Sequence, residues 1–202
     1  DESLQVILPY SKSTFSVPPN LYLIGTMNTA DRSVEALDSA LRRRFSFLEM
    51  WPQPAELRKI EVPGLELDRL LATMNRRIEK LIDKDHTIGH AYFIRLAESA
   101  DPWAELRAIF QNKILPLLQE YFFGNLGKLE LVVGSSFFEN QQEEVEDNFF
   151  APAGYDAAEL LDRPIYRLKD WLAVDGSGAL LHAEEAFRQA VIQIYDHRHG
   201  QA

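Results

Sequence analysis

Two polar runs in this 202-residue chain carry residue types suited to handling phosphate and attacking water. The first, Gly25-Thr-Met-Asn-Thr-Ala-Asp-Arg-Ser33, continues directly from the apolar run Asn20-Leu-Tyr-Leu-Ile-Gly-Thr-Met27. Ligands gather at the carboxyl ends of strands in open α/β sheets, so polar side chains at the end of such a run stand where a substrate binds. The Asn28 amide can hold a water or a phosphate oxygen, Asp31 can orient a basic partner, and Arg32 can contact phosphate. The plainer alternative is a turn in which Asn28 and Asp31 satisfy the loop and cap the next helix. The chemistry of the residues leaves both open.

The second run is Leu37-Asp-Ser-Ala-Leu-Arg-Arg-Arg-Phe45, three consecutive arginines between apolar neighbours. Adjacent side chains at a helix end point in different directions, so one guanidinium can serve its own subunit while another reaches a neighbour. Planar guanidinium groups suit phosphate, and an arginine supplied from another subunit is a recurrent part of nucleotide hydrolysis. Cations set against a helix C-terminus and ordinary surface ion pairs explain the same residues without catalysis.

The elements that must position these runs follow from the apolar pattern. Asn20–Met27 reads as a short buried parallel strand, Phe45–Met50 as a second, and Asp31 or Ser33 caps a helix to about Leu41 between them. One crossover helix cannot cover both faces of a parallel sheet, so the sheet is incomplete and its other strands are expected before Asp1. After Trp51-Pro-Gln-Pro54 the pattern turns helical. Leu67, Leu70, Leu71, Met74, Ile78, Leu81 and Ile82 trace one stripe at helical spacing. A second helix starts at Pro102 and carries Trp103, Leu106, Ile109, Phe110, Ile114, Leu117, Leu118 and Phe122 inward, with a kink expected at Pro116. A third spans about Ala183–His197, packed on the other two. Pro164–Leu172 followed by Asp175-Gly-Ser-Gly178 suggests a small hairpin or an edge strand, and Glu139–Asp147 reads as a solvated or poorly ordered loop.

Phe15-Ser-Val-Pro-Pro-Asn-Leu-Tyr-Leu-Ile-Gly-Thr-Met-Asn-Thr-Ala-Asp-Arg-Ser33 together with Leu37-Asp-Ser-Ala-Leu-Arg-Arg-Arg-Phe45 resembles the McrB family, the AAA+ motor subunits of McrBC-type modification-dependent restriction systems. The likeness continues through Ile88-Gly-His-Ala-Tyr-Phe93 and Ile114-Leu-Pro-Leu-Leu-Gln-Glu-Tyr-Phe122, although Ala91 stands where the family often has serine. The resemblance implies a C-terminal piece of such a motor. Residues 1–50 are then the end of an α/β, AAA+ P-loop NTPase core, and 52–202 a mainly α-helical lid with a small β element. It implies Asn28 as the sensor-1 residue that places the attacking water, with Asp31 and Arg32 completing the loop. Arg43 and Arg44 match the arginine finger, with Arg42 a third candidate. His90 either faces the nucleotide or is a hydrogen-bonded structural residue.

The family further implies GTP, or ATP, with Mg²⁺, a homo-oligomeric hexameric ring, a McrC-type nuclease partner, and DNA held by other domains. A non-catalytic helical interaction module and a MoxR-like AAA+ ATPase remain as competing readings. The chain contains no G-x-x-x-x-G-K-S/T loop and no apolar strand ending in a Walker-B acidic pair, so no hydrolysis is expected from it alone. Gly124-Asn-Leu-Gly-Lys128 comes nearest but follows a helix. With 31 acidic against 21 basic side chains, the formal charge of -10 argues against a broad non-specific DNA-binding surface. No cysteine is present, which excludes disulfides and thiolate metal sites, and no two of the five histidines sit at zinc-ligand spacing with a supporting carboxylate on a clear helix face. A cytoplasmic, membrane-free setting is the corresponding expectation.

Overall fold

The computed structural model describes residues 5–28, 43–139 and 165–196 and divides into two compact units, 1–47 and 48–202. Asp31, Arg32, Arg42, the helix expected to end at Leu41, most of the acidic run and His197 lie outside the described residues.

In the first unit, β1 (Gln5–Ile7) pairs antiparallel with β2 (Thr14–Ser16), Val6 opposite Phe15. Lys12, at φ 55°, turns the chain between them, and the Lys12 amide donates to the Leu8 carbonyl. Neither strand expected from the apolar runs forms: residues 21–28 and 46–50 have no regular structure and are exposed. A parallel strand satisfies its backbone and buries its side chains only against neighbouring strands, and the described residues of this unit offer none in register. Leu23 and Ile24 therefore stand in solvent.

The second unit is helical. α1 (Leu67–Leu81) buries Leu67, Leu70, Leu71, Met74 and Ile78 along one face, as the spacing requires. α2 (Pro102–Ile109) begins at Asp101, whose carboxylate accepts from the amides of Trp103 and Ala104 at 3.1 and 3.0 Å. Pro at the first turn costs nothing there because that N–H would be unpaired anyway.

The kink expected at Pro116 takes the form of a π-helical turn, Phe110–Ile114, before α3 (Leu115–Tyr121). Pro116 has no N–H to give the ladder, and the Leu115 amide reaches five residues back to Phe110. α3 ends with the Gly124 amide on the Gln119 carbonyl and the Phe123 amide on that of Glu120, with Phe123 and Gly124 both at positive φ. These are the two bonds of a Schellman ending, which supply partners for otherwise orphaned carbonyls. α4 (Leu126–Val133) and α5 (Glu184–Gln193) follow.

The chain beyond α4 is tied into the same core. Phe137 and Phe110 stack at 5.5 Å, Trp171 meets Phe137 and Phe187 edge-on, and Phe187 meets Trp103 the same way. Such offset and edge-on pairs add to the burial energy of large rings. The expected hairpin appears as a Val174–Leu180 bridge around Asp175, whose carboxylate accepts from the Ser177 and Ala179 amides. Among the described residues no helix is long and apolar enough to cross a membrane.

Candidate functional site

The segment Asp83–Phe93, from the end of α1 into the first turn of a 3₁₀ helix at His90–Glu98, carries a cluster of polar contacts in the helical unit. It is pinned from below by Asn75, a polar residue inside the apolar stripe of α1. The Asn75 amide nitrogen donates to the Ile88 carbonyl at 2.9 Å, and the Ile88 amide donates to Asn75 Oδ1 at 2.7 Å. Both groups are buried, so this pair satisfies four polar atoms that water cannot reach. Two residues on, His90 accepts the Gln53 backbone N–H on Nδ1 at 3.1 Å. That assigns the ring proton of the neutral form to Nε2, which is left as a donor.

The start of the segment is organised by Asp83. Its Oδ1 accepts from the amides of Asp85 and His86 and lies 2.7 Å from His86 Nδ1, while the His86 ring meets Tyr121 edge-on at 4.9 Å. The hydrogen bond from His86 holds the Asp83 carboxyl below the ordinary carboxylate range. Burial, with the nearby Tyr92 and Glu120, pushes the Tyr121 phenol up. Lys84 stacks on Trp51, its ammonium 4.4 Å from the ring centroid. Glu56, near His90, is held low by the hydrogen bond and charge of Lys59.

Of the residues assigned to nucleotide chemistry, Asn28 is exposed at the end of the irregular run, and Arg43 and Arg44 form an exposed turn. Asp31 and Arg32 fall outside the described part. Among the described residues no group of three or more His, Asp or Glu side chains is placed to hold a metal ion.

The Gly124–Lys128 run is a helix start rather than a phosphate cradle. Asn125 Oδ1 accepts from the Lys128 amide at 3.1 Å, and Tyr166 lies 3.5 Å from where a Gly127 Cβ would be. The run thus supplies its own cap, under an aromatic lid.

Sequence reasoning passed over Asn75, Gln53 and Arg77. The Arg77 guanidinium donates to the carbonyls of Val132 at 2.5 Å and Ile194 at 2.7 Å, joining α1 to the ends of α4 and α5. A signal for Asn75 was present, since it interrupts the apolar face between Leu71 and Ile78. None existed for Arg77, whose partners are backbone atoms 55 and 117 residues away.

Comparison with known proteins bears on the same region. Residues 66–130, from the entry of α1 into α4, match the model of the McrB α-helical lid domain. The chain is similar to the type IV methyl-directed restriction enzyme EcoKMcrB subunit of Escherichia coli (strain K12). The identity is 39% over 139 residues, covering 60% of this chain and 30% of that protein. It is also similar, at 26% over 145 residues, to the type II restriction enzyme BsuMI component YdiS of Bacillus subtilis (strain 168), covering 66% of this chain and 40% of that one. The chain thus spans less than half the length of either relative. Residues 66–130 of its helical unit match an McrB-type lid domain, and the similarity to the McrB subunit supports an McrB-type protein.

Proposed function

We propose that this chain provides the lid together with the nucleotide-sensing and finger arginines of an oligomeric AAA+ NTPase in a restriction system. The observation that carries the reading is the occurrence, on one chain, of the McrB lid domain and, ahead of it, the Asn28–Ser33 and Leu41–Phe45 runs in family order. In this reading residues 1–50 belong to an AAA+ core and 52–202 to its lid. Asn28 orients the attacking water, Asp31 and Arg32 shape its loop, and Arg43 or Arg44 reaches the phosphates bound by a neighbouring subunit. His90 offers its Nε2 proton toward nucleotide. GTP with Mg²⁺, a hexameric ring and a McrC-type nuclease acting on modified DNA complete the assignment. The similarity to a methyl-directed restriction enzyme subunit of Escherichia coli supports that direction.

A finger arginine is worth roughly 10³–10⁵ in turnover because it neutralises charge that develops only in the transition state. In a protein that joins this chain to a phosphate-binding loop, Asn28→Ala and Arg44→Ala should each abolish GTP turnover while circular dichroism and oligomer size stay unchanged. Wild-type rates in both variants would overturn the residue assignments. The chain by itself, mixed with labelled GTP or ATP and Mg²⁺, should give no product, and turnover there would refute the division of labour.

A further inference from the structure

In Trp51-Pro-Gln-Pro54 the two proline rings remove their own backbone N–H groups, so between Trp51 and Ala55 only Gln53 keeps one. The prolines also hold the residues before them extended, and Gln53 sits at φ -116° and ψ 84°. The single amide proton of this stiff segment is aimed at one atom, His90 Nδ1, at 3.1 Å. A second contact holds the same segment, Lys84 stacked on Trp51. Lys84 and His90 flank Ile88, and Ile88 is locked to α1 through both hydrogen bonds of Asn75. The acceptor is therefore mounted on the helical core.

We propose that Trp51–Gln53 is a strap fastened to the lid by a protonation-sensitive latch, in which the neutral imidazole of His90 accepts the one backbone amide proton left between Pro52 and Pro54. With the latch closed, the strap moves with the lid as one body. Adding a proton to His90 converts Nδ1 from acceptor to donor and sets two N–H groups face to face, which opens the latch. The elements packed against the His90–Glu98 helix carry ionisable groups. Glu56, on the 3₁₀ turn Pro54–Lys59, is held low in part by the charge of His90 and is itself paired with Lys59. α2, which packs on the His90–Glu98 helix, carries Glu105 and Arg107, the latter 3.5 Å from Glu184 of α5. Lys84 is engaged on Trp51 and Glu49 on the Trp51 indole N–H.

The test is amide hydrogen exchange at Gln53 in the ¹⁵N-labelled full chain, corrected for the intrinsic rate, between pH 8 and pH 5. The His90 ring resonances are followed in the same samples. Protection of Gln53 should fall roughly two- to tenfold in step with titration of the ring, the loss expected for one hydrogen bond. His90→Gln keeps an acceptor that does not titrate, so its protection should stay flat across the range. His90→Phe should be unprotected throughout. Wild-type protection that ignores the His90 titration, His90→Phe protection equal to wild type at pH 8, or the same acid loss in His90→Gln would each overturn the latch.

Discussion

Replacing Asn75 by alanine should be among the costliest single changes in the helical unit. The side chain closes a two-way bond with Ile88, which is 1% exposed, so truncation strands a backbone N–H and a backbone carbonyl where water does not reach them. Each stranded group costs about 1–3 kcal/mol, giving about 2–6 kcal/mol for the pair. Domains of this size are stable by about 5–15 kcal/mol, so a large share of the total is at stake. Urea unfolding followed by circular dichroism reads this directly. At an m-value of about 2 kcal/mol/M the midpoint should drop by about 1–3 M. Asn75→Asp sharpens the test. The aspartate still accepts the Ile88 amide proton but, ionised, cannot donate to the carbonyl. Its burial raises its folded-state pKa, so the variant should recover stability relative to wild type as pH falls and the carboxyl becomes a donor. A loss below about 1 kcal/mol in Asn75→Ala, judged against that bond-by-bond estimate, or no acid recovery in Asn75→Asp would refute the reasoning.

Two further expectations rest on backbone and charge. Gly134 ends α4 at φ 92° and ψ 161°, a region that side chains avoid, and an added Cβ would meet nothing within 4 Å. Gly134→Ala should therefore lose about 1–3 kcal/mol from backbone strain alone, and an unchanged melting temperature would show that the chain relaxes there without penalty. Asp68 is held low by its hydrogen bond from Arg58, and Asp83 by its hydrogen bond from His86, each below the ordinary value of 3.8. Because both folded-state values are depressed, their stabilisation is present above about pH 4 and is lost as pH falls through the folded-state values. Solvent exposure keeps each contribution small. Melting temperatures between pH 2.5 and 7 should fall at the acid end, less steeply in Asp68→Asn and Asp83→Asn, and parallel curves for wild type and variants would exclude these carboxylates as the cause.

Much of the helical unit was legible in the residues themselves. The stripe from Leu67 to Ile78, the start at Asp101-Pro102 and the turn at Asp175–Gly178 are local patterns, each set by neighbours within one or two turns of chain. What Pro116 does was half legible: loss of its N–H predicts a disruption, but only the packing of Phe110 and Ile114 into the core selects a π turn. The apolar run at Leu21–Ile24 was misleading for a physical reason. Hydrophobicity predicts that a segment seeks burial, whereas a strand exists only where partners are in register.

The amino-acid sequence by itself determined the family likeness, the stripe of α1 and the single backbone donor between two prolines, because these depend on residue types at short spacing. Tertiary structure alone decided where that donor goes, which carbonyls Arg77 joins, and that the chain beyond α4 closes the core through Phe137, Trp171 and Phe187. The hydrogen bonds among these contacts link atoms 37 to 117 residues apart, a range over which periodicity and propensity carry no information.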